Sequence, residues 1–168
     1  MAEMQSKADR LILTAVVAGL VAAVVEMAFV LPIQAVVLHN SPEAVFQSIA
    51  VGASGRAAFT GGWTSALQGV GWHVLVSLGA ALVYVIAAAR WPVLLRRPVI
   101  GGLGLGVLAY GVMIFGVIPL SRIGFTMPAA DALTLISFAI HLFAFGLPIA
   151  LVARAMLSDP RAVALGAG

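Results

Sequence analysis

Four long apolar runs divide the chain, and each is long enough to cross a membrane as a helix. They cover residues 11–31, 65–89, 99–120 and 132–153. The hydrocarbon core of a bilayer, about 30 Å thick, is spanned by about 20 apolar residues in a helix. The pattern predicts an all-α fold: a polytopic membrane protein in which a four-transmembrane-helix bundle makes up one membrane domain, residues 1–168.

The longest connection, residues 32–64, follows the first run and carries its own helix signals. Ser41-Pro42-Glu43 is typical of a capped helix start with proline in the first turn. The apolar residues after it predict a short amphipathic helix on the outer membrane surface. A re-entrant hairpin is the alternative, and the sequence leaves both open. Asp131 is expected to cap the last run in the same way as Ser41.

Composition agrees with a membrane protein and excludes several other classes. Of 168 residues, 62% are hydrophobic and 9% are charged, and mean hydropathy is +1.14, whereas soluble domains carry about 25% charged residues. The absence of cysteine excludes disulfides, iron–sulfur clusters and thiolate zinc sites. No Ser/His/Asp arrangement has an activating carboxylate at fixed spacing, so no catalytic residues are predicted, which favours a protein that is not an enzyme.

Basic residues fall mostly on one side of a four-pass arrangement. That side holds Lys7, Arg10, Arg90, Arg96, Arg97, Arg154 and Arg161. Only Arg56 and Arg122 fall on the other side. By the positive-inside rule, both termini are expected in the cytoplasm. The excess positive charge therefore indicates topology and a lipid bilayer as partner, not nucleic acid; a homo-oligomer or a larger membrane complex stays open. The first run exceeds the core of a signal peptide, so we expect it to be retained.

Small residues mark one face of each run. In the third run Gly102, Gly106, Ala109 and Gly116 share one helical stripe. Small residues let helix backbones approach closely in membranes. The stripes therefore predict a closely packed bundle with lipid on its other faces.

Three ionisable residues interrupt the apolar runs: Glu26, His73 and His141. Such a side chain in hydrocarbon is costly unless it is paired, neutral or in contact with water. At about 1.5 Å per residue, they lie roughly 8, 12 and 14 Å below the outer ends of their helices, and Met113 lies about 10 Å in. One layer of the bundle is thus predicted to hold all four.

This layer is compatible with several functions. The candidate ligands of a transition-metal ion are Glu26, His73, His141 and Met113, the thioether of Met113 favouring copper(I). Alternatively, His73 and His141 are the axial ligands of a haem b, in space left by Gly69 and Ala144. Further alternatives are a small proton-coupled transporter that acts as an oligomer with Glu26 as proton carrier, a hydrogen-bonded cluster that only holds helices together, and a structural subunit of a membrane complex.

Several short motifs follow one another between Gly62 and Arg154. They are Gly71-Trp72-His73, the Trp91-Pro92 turn, Pro119-Leu120 at the end of the third run and His141-Leu142 in the fourth. In this order the chain resembles the YagU-like group of bacterial inner-membrane proteins. The resemblance implies a small multi-pass protein of the bacterial inner membrane, with His73 and His141 at the histidine positions of the family. It implies no particular reaction.

Overall fold

The computed structural model describes residues 2–124 and 129–158, and every regular element in these ranges is helical. The first half contains α1 (Ala2–Val37), α2 (Pro42–Ser54), a 3-10 helix (Gly55–Thr60) and α3 (Gly62–Arg90). The second half contains α4 (Val93–Arg96), α5 (Pro98–Val112), a π-helical segment (Met113–Val117), α6 (Ile118–Leu120), α7 (Ala132–Ile140), a second π-helical segment (His141–Gly146) and α8 (Leu147–Leu157).

Four helical stretches are long and apolar enough to cross a membrane. They are Gln5–Val37, Gly62–Arg90, Pro98–Leu120 and Ala132–Leu157. The last two, each made of consecutive helices, are called the third and the fourth span here. The prediction of an all-helical chain with four membrane-length helices is therefore confirmed for the described residues.

The boundary predicted at residue 31 is wrong, because α1 passes through Pro32 and ends at Val37. Proline removes one backbone hydrogen bond from a helix, and helices in membranes tolerate this loss. Proline is thus a weak stop signal in such a long helix. As a result, the segment between α1 and α2 covers only residues 38–41.

Side chains cap two helices where the sequence predicted caps. The hydroxyl of Ser41 accepts a hydrogen bond from the Ala44 N–H at 3.2 Å, and the Asp131 carboxylate accepts one from the Thr134 N–H at 2.8 Å. The bond from Thr134 stabilises the ionised form and lowers the pKa of Asp131. Both helices begin where an otherwise unpaired backbone N–H gains an acceptor.

The four stretches are arranged in a row. α1 packs against α3 on one side and against the fourth span on the other, and α5 packs against the fourth span. The order in space is therefore α3, α1, fourth span, third span. Within the described residues α5 packs along neither α1 nor α3, so the two ends of the row are left apart over much of their length.

The two outer members of the row, α3 and the third span, meet at the end of the bundle that carries Arg90. α4 packs against α8, and the Tyr84 hydroxyl lies against Gly101 and donates to the Leu94 carbonyl oxygen at 3.3 Å. A core of apolar side chains fills this half of the bundle, with Tyr84, Leu105 and Ile149 among its buried members. The same end carries the predicted cytoplasmic basic residues except Arg161, which lies outside the described residues.

Glycines bring α5 into backbone contact with the fourth span. A Cβ atom on Gly106 would lie 2.6 Å from the Leu142 Cα, and one on Gly102 would lie 2.8 Å from the Leu147 Cα. Such distances are shorter than any allowed carbon–carbon contact, so these positions exclude every larger residue. The small-residue stripe predicted in the third run thus has a structural role in helix packing.

The first segment of the connection, α2, runs alongside α3 and in the same direction. Glu43 lies beside Gly62 at the start of α3, whereas Ser54 borders the same surface groove as Trp72, ten residues further along. The 3-10 helix then returns to the start of α3, where the Ser65 hydroxyl donates to the Ala58 carbonyl oxygen at 2.6 Å. α2 and the 3-10 helix thus pack together beside the first part of α3. The amphipathic helix on the outer membrane surface and the re-entrant hairpin both stay predictions.

We expect Gly106→Ala to destabilise the protein by about 1–3 kcal/mol, because the new methyl group overlaps the backbone of the fourth span. Thermal or denaturant unfolding in detergent measures the change. Gly104→Ala is the matched control on the same helix, since a Cβ atom there meets nothing within 4 Å. Equal stability of the two variants would contradict the close contact.

Candidate functional site

The three ionisable residues of the predicted layer meet inside the bundle. The His73 Nε2 atom lies 3.9 Å from the Glu26 Oε2 atom, and the His141 Nε2 atom lies 3.7 Å from the Glu26 Oε1 atom. The side chains are 8% (Glu26), 12% (His73) and 18% (His141) exposed. Helices α1 and α3 and the fourth span thus each contribute one member of a cluster centred on the Glu26 carboxyl group.

Backbone carbonyl groups hold both imidazole rings. The His73 Nε2 atom lies 3.2 Å from the Ala23 carbonyl oxygen, and the His141 Nδ1 atom lies 2.8 Å from the Ser137 carbonyl oxygen. A carbonyl oxygen only accepts hydrogen bonds, so these two nitrogens carry the hydrogens. The Tyr110 ring also meets the His141 ring edge-on, with centroids 5.3 Å apart. The remaining lone pair of a neutral His141 is therefore on its Nε2 atom, which faces Glu26.

The carboxyl group of Glu26 has no hydrogen-bond partner among the described residues. Its nearest polar neighbours are the two Nε2 atoms at 3.7 and 3.9 Å, beyond normal hydrogen-bond length. The carboxyl oxygens line a cavity rather than being fully enclosed. A polar group in apolar surroundings costs free energy until it is hydrogen-bonded, so this carboxyl group is suited to contact a molecule in the cavity.

The cavity fills the gap between α3 and α5 and has a volume of about 680 Å³, within the usual range of about 300–1,000 Å³ for small-molecule sites. Its side walls are apolar and include Val76, Val83, Leu108 and Val112. The Glu26 cluster forms part of the inner wall. The side between α3 and α5 leads out of the bundle, because these helices do not pack along each other.

The outer end of the cavity is covered by α2 and by the residues that follow α6. Ile49, Gly52 and Ala53 of α2 line it, together with Ser121. The Arg122 N–H donates to the Gly52 carbonyl oxygen at 3.0 Å and connects the two segments. The described residues that line the cavity include no lysine or arginine, so an anionic group inside it would find no cation.

Two π-helical segments border the cavity, and the sequence analysis missed both. In each, a backbone N–H bonds five residues back: Ile118 to the Met113 carbonyl oxygen and Leu147 to the Leu142 carbonyl oxygen. A proline follows directly in both cases, Pro119 and Pro148. Proline provides no N–H and its ring crowds the preceding turn, which favours a wider turn there. π-Helical turns are frequent at functional sites.

The described residues give no support to the predicted metal site. Residues 2–124 and 129–158 contain no group of three or more His, Asp or Glu side chains able to hold one. The His73 Nε2 atom is already hydrogen-bonded to Ala23, which leaves Glu26 and His141 facing each other. Structural and catalytic transition-metal sites use three or four protein ligands. Met113 lines the same cavity as the cluster.

Haem does not fit either. Both Nε2 atoms lie within 3.9 Å of the Glu26 carboxyl group, so neither ring faces an open space of the size of a macrocycle without that group beside it. The room expected at Gly69 is filled, because the Phe46 carbonyl group of α2 packs directly against that glycine. Ala144 is buried in the fourth span. The metal and haem predictions therefore have no support in this geometry.

We expect Glu26→Leu to stabilise the delipidated protein by about 1–3 kcal/mol, since it removes a buried polar group that has no hydrogen-bond partner within the described chain. Denaturant unfolding in detergent gives the difference in free energy. Gln47→Leu is the contrasting control: Gln47 is also buried, but its amide donates to the Gly62 carbonyl oxygen at 3.1 Å, so its loss should destabilise. A clear loss of stability in Glu26→Leu would show that the carboxyl group is a structural element.

No protein-family model, curated protein or solved structure matches the chain. The resemblance to the YagU-like group therefore stays a prediction. What the chain does has to be inferred from the geometry of its own residues.

Proposed function

We propose that the chain is an integral membrane protein of the bacterial inner membrane with both termini in the cytoplasm. Each span carries large apolar side chains that face away from the bundle: Val24, Leu67, Phe115 and Leu135 are all at least 65% exposed. Surfaces of this kind are stable against lipid tails and unfavourable in water. Arg10, Arg90 and Arg154 lie at one end of the bundle, which the positive-inside rule places in the cytoplasm.

The function that the site supports best is the binding of a lipid-soluble small molecule within the membrane. Its apolar body would occupy the cavity between α3 and α5, and its polar group would contact Glu26 and the two histidines. The observation that carries this proposal is the buried Glu26 carboxyl group, which lacks a partner in the described chain and lines the apolar cavity. Ligand sites are commonly apolar clefts in which few polar groups fix the orientation.

The position of the cavity between α3 and α5 indicates how a ligand would enter it. The rim residues Val83, Leu108 and Val112 line the cavity and are more than half exposed. In a membrane these side chains would face hydrocarbon, so a ligand dissolved in the bilayer can enter between α3 and α5 without crossing water.

Proton-coupled transport with Glu26 as carrier has less support. The apolar core around Tyr84, Leu105 and Ile149 fills the bundle on the cytoplasmic side of the cluster. Among the described residues on that side the buried side chains are mostly apolar, which favours binding over passage. A homo-oligomer or a role in a larger membrane complex stays a prediction.

The orientation can be tested directly because the chain has no native cysteine. We expect Thr60→Cys to react with a membrane-impermeant maleimide in intact spheroplasts, and Gln5→Cys to react only after permeabilisation, since these exposed residues lie at opposite ends of the bundle. The reverse pattern would invert the orientation, and labelling of both in intact spheroplasts would contradict a membrane-spanning bundle with four passes.

Ligand binding can be tested with a photoactivatable C16 alcohol that carries a diazirine in its chain. In membranes, we expect it to label residues of the cavity wall, and Val112→Trp to reduce that labelling at least fivefold by filling the cavity. Mass spectrometry of the labelled peptides measures the change.

The matched control is Val107→Trp on the same helix. Val107 and Val112 are both 51% exposed, but only Val112 lines the cavity, so Val107→Trp should leave the labelling unchanged. Equal labelling of both variants, or labelling spread evenly over the apolar surface, would reject the cavity as a binding site.

A further inference from the structure

The arrangement of hydrogen-bonding atoms at the inner wall narrows the class of ligand, on the basis of the proposed function. The His141 Nε2 atom and the Glu26 Oε1 atom are 3.7 Å apart. This separation is too long for a hydrogen bond but shorter than twice the usual length of about 2.8 Å. A single oxygen atom placed beside them can therefore contact both.

When Glu26 and the His141 Nε2 atom carry one proton between them, that oxygen has to donate and accept at once. If Glu26 is the acid, it donates to the bridging oxygen, which in turn donates to the lone pair of His141. If His141 is protonated at Nε2, it donates and the Glu26 carboxylate accepts. Either state leaves Glu26 and His141 together without net charge, as apolar surroundings require. In both states one hydroxyl group completes the bridge.

Other head groups do not match the Glu26–His141 pair in its uncharged state. Ketone, ether and ester oxygens only accept hydrogen bonds, so they leave one of the two protein atoms unpaired. A carboxylate or phosphate also only accepts, and the described cavity wall offers it no lysine or arginine. A protonated amine only donates, so it fits only the state in which Glu26 is ionised and His141 is neutral, where the pair itself carries a negative charge in apolar surroundings.

We infer that the cavity binds a lipid alcohol: a molecule with an uncharged hydroxyl group that bridges Glu26 and His141, on a largely hydrocarbon body that lies between α3 and α5. Two sources in a bacterial membrane share this chemistry, a phenolic hydroxyl on an isoprenoid quinol and a primary hydroxyl on a polyprenol. Only binding is inferred.

The test compares three photoactivatable C16 probes that differ only at the head: the alcohol, its methyl ether and the fatty acid. For the unmodified protein in membranes, we expect the alcohol to label the cavity about tenfold more than the ether, which is the effect of about 1.4 kcal/mol of lost hydrogen bonding. The fatty acid should label no better than the ether.

Single substitutions test whether the preference for the alcohol depends on Glu26 and His141. Glu26→Leu and His141→Phe should each reduce labelling by the alcohol to the level of the ether, without reducing labelling by the ether. Glu26→Leu is expected to fold even if His141→Phe does not, because it removes a buried polar group that has no hydrogen-bond partner in the described residues. Ser121→Ala is the control, because Ser121 lines the outer end of the same cavity and its loss should not change the preference for the alcohol.

Equal labelling by alcohol and ether, with both still blocked by Val112→Trp, would overturn the inference and leave the proposed function standing. So would loss of the preference in Ser121→Ala instead of His141→Phe. No cavity labelling by any probe would reject the proposed function itself. Competition by unlabelled farnesol or by a decyl naphthoquinol then separates the two sources, and displacement by neither contradicts the lipid alcohol.

Discussion

The backbone contact between α5 and the fourth span is the constraint on which the cavity depends. Gly102 and Gly106 allow α5 to lie directly against residues 141–147, and this contact commits α5 to the far side of the fourth span from α1. Because α3 packs on the opposite side of α1, the two outer members of the row cannot share a long interface. In the described part of the chain they meet at one end, through the α4 turn and the contact of Tyr84 with Gly101. The open half is a consequence of which helices have glycine on the packing face.

Within that gap, local backbone geometry decides which side chains meet. The fourth span reaches His141 as an α-helix and then widens for one turn before Pro148. The wide turn inserts one extra residue, which rotates everything beyond it relative to a regular helix. His141 can therefore be directed at Glu26 while Ile149 and Ala150 beyond the turn still enter the apolar core of the other half. The same device in the third span, before Pro119, lets Met113 and Val117 line one cavity wall.

Much of this architecture could be predicted from the sequence, because depth in a straight helix is proportional to residue number. Counting residues placed Glu26, His73 and His141 in one layer, and the three side chains are indeed in contact range. The direction in which His141 points could not be predicted in this way, because it depends on the π-helical turn that begins there. The sequence signal for that turn is Pro148, and a proline is equally compatible with a simple kink. At Gly69 the sequence suggested free space that the structure does not have. Glycine leaves room only when no other backbone fills it, and the course of α2, which fills it, is a tertiary property.

The position of Glu26 is costly for the fold and therefore informative about function. A leucine there would complete the apolar interior, and neither histidine needs the carboxyl group for its own hydrogen bond, because Ala23 and Ser137 already provide acceptors. A cluster that served only to join helices would place donor and acceptor within bonding distance of each other. Here the gaps of 3.7 and 3.9 Å leave the cluster incomplete. The missing partner has to come from the cavity, whose remaining walls are almost entirely apolar. A molecule that satisfies both conditions is polar at one point and hydrocarbon elsewhere, which is the composition of a membrane lipid alcohol.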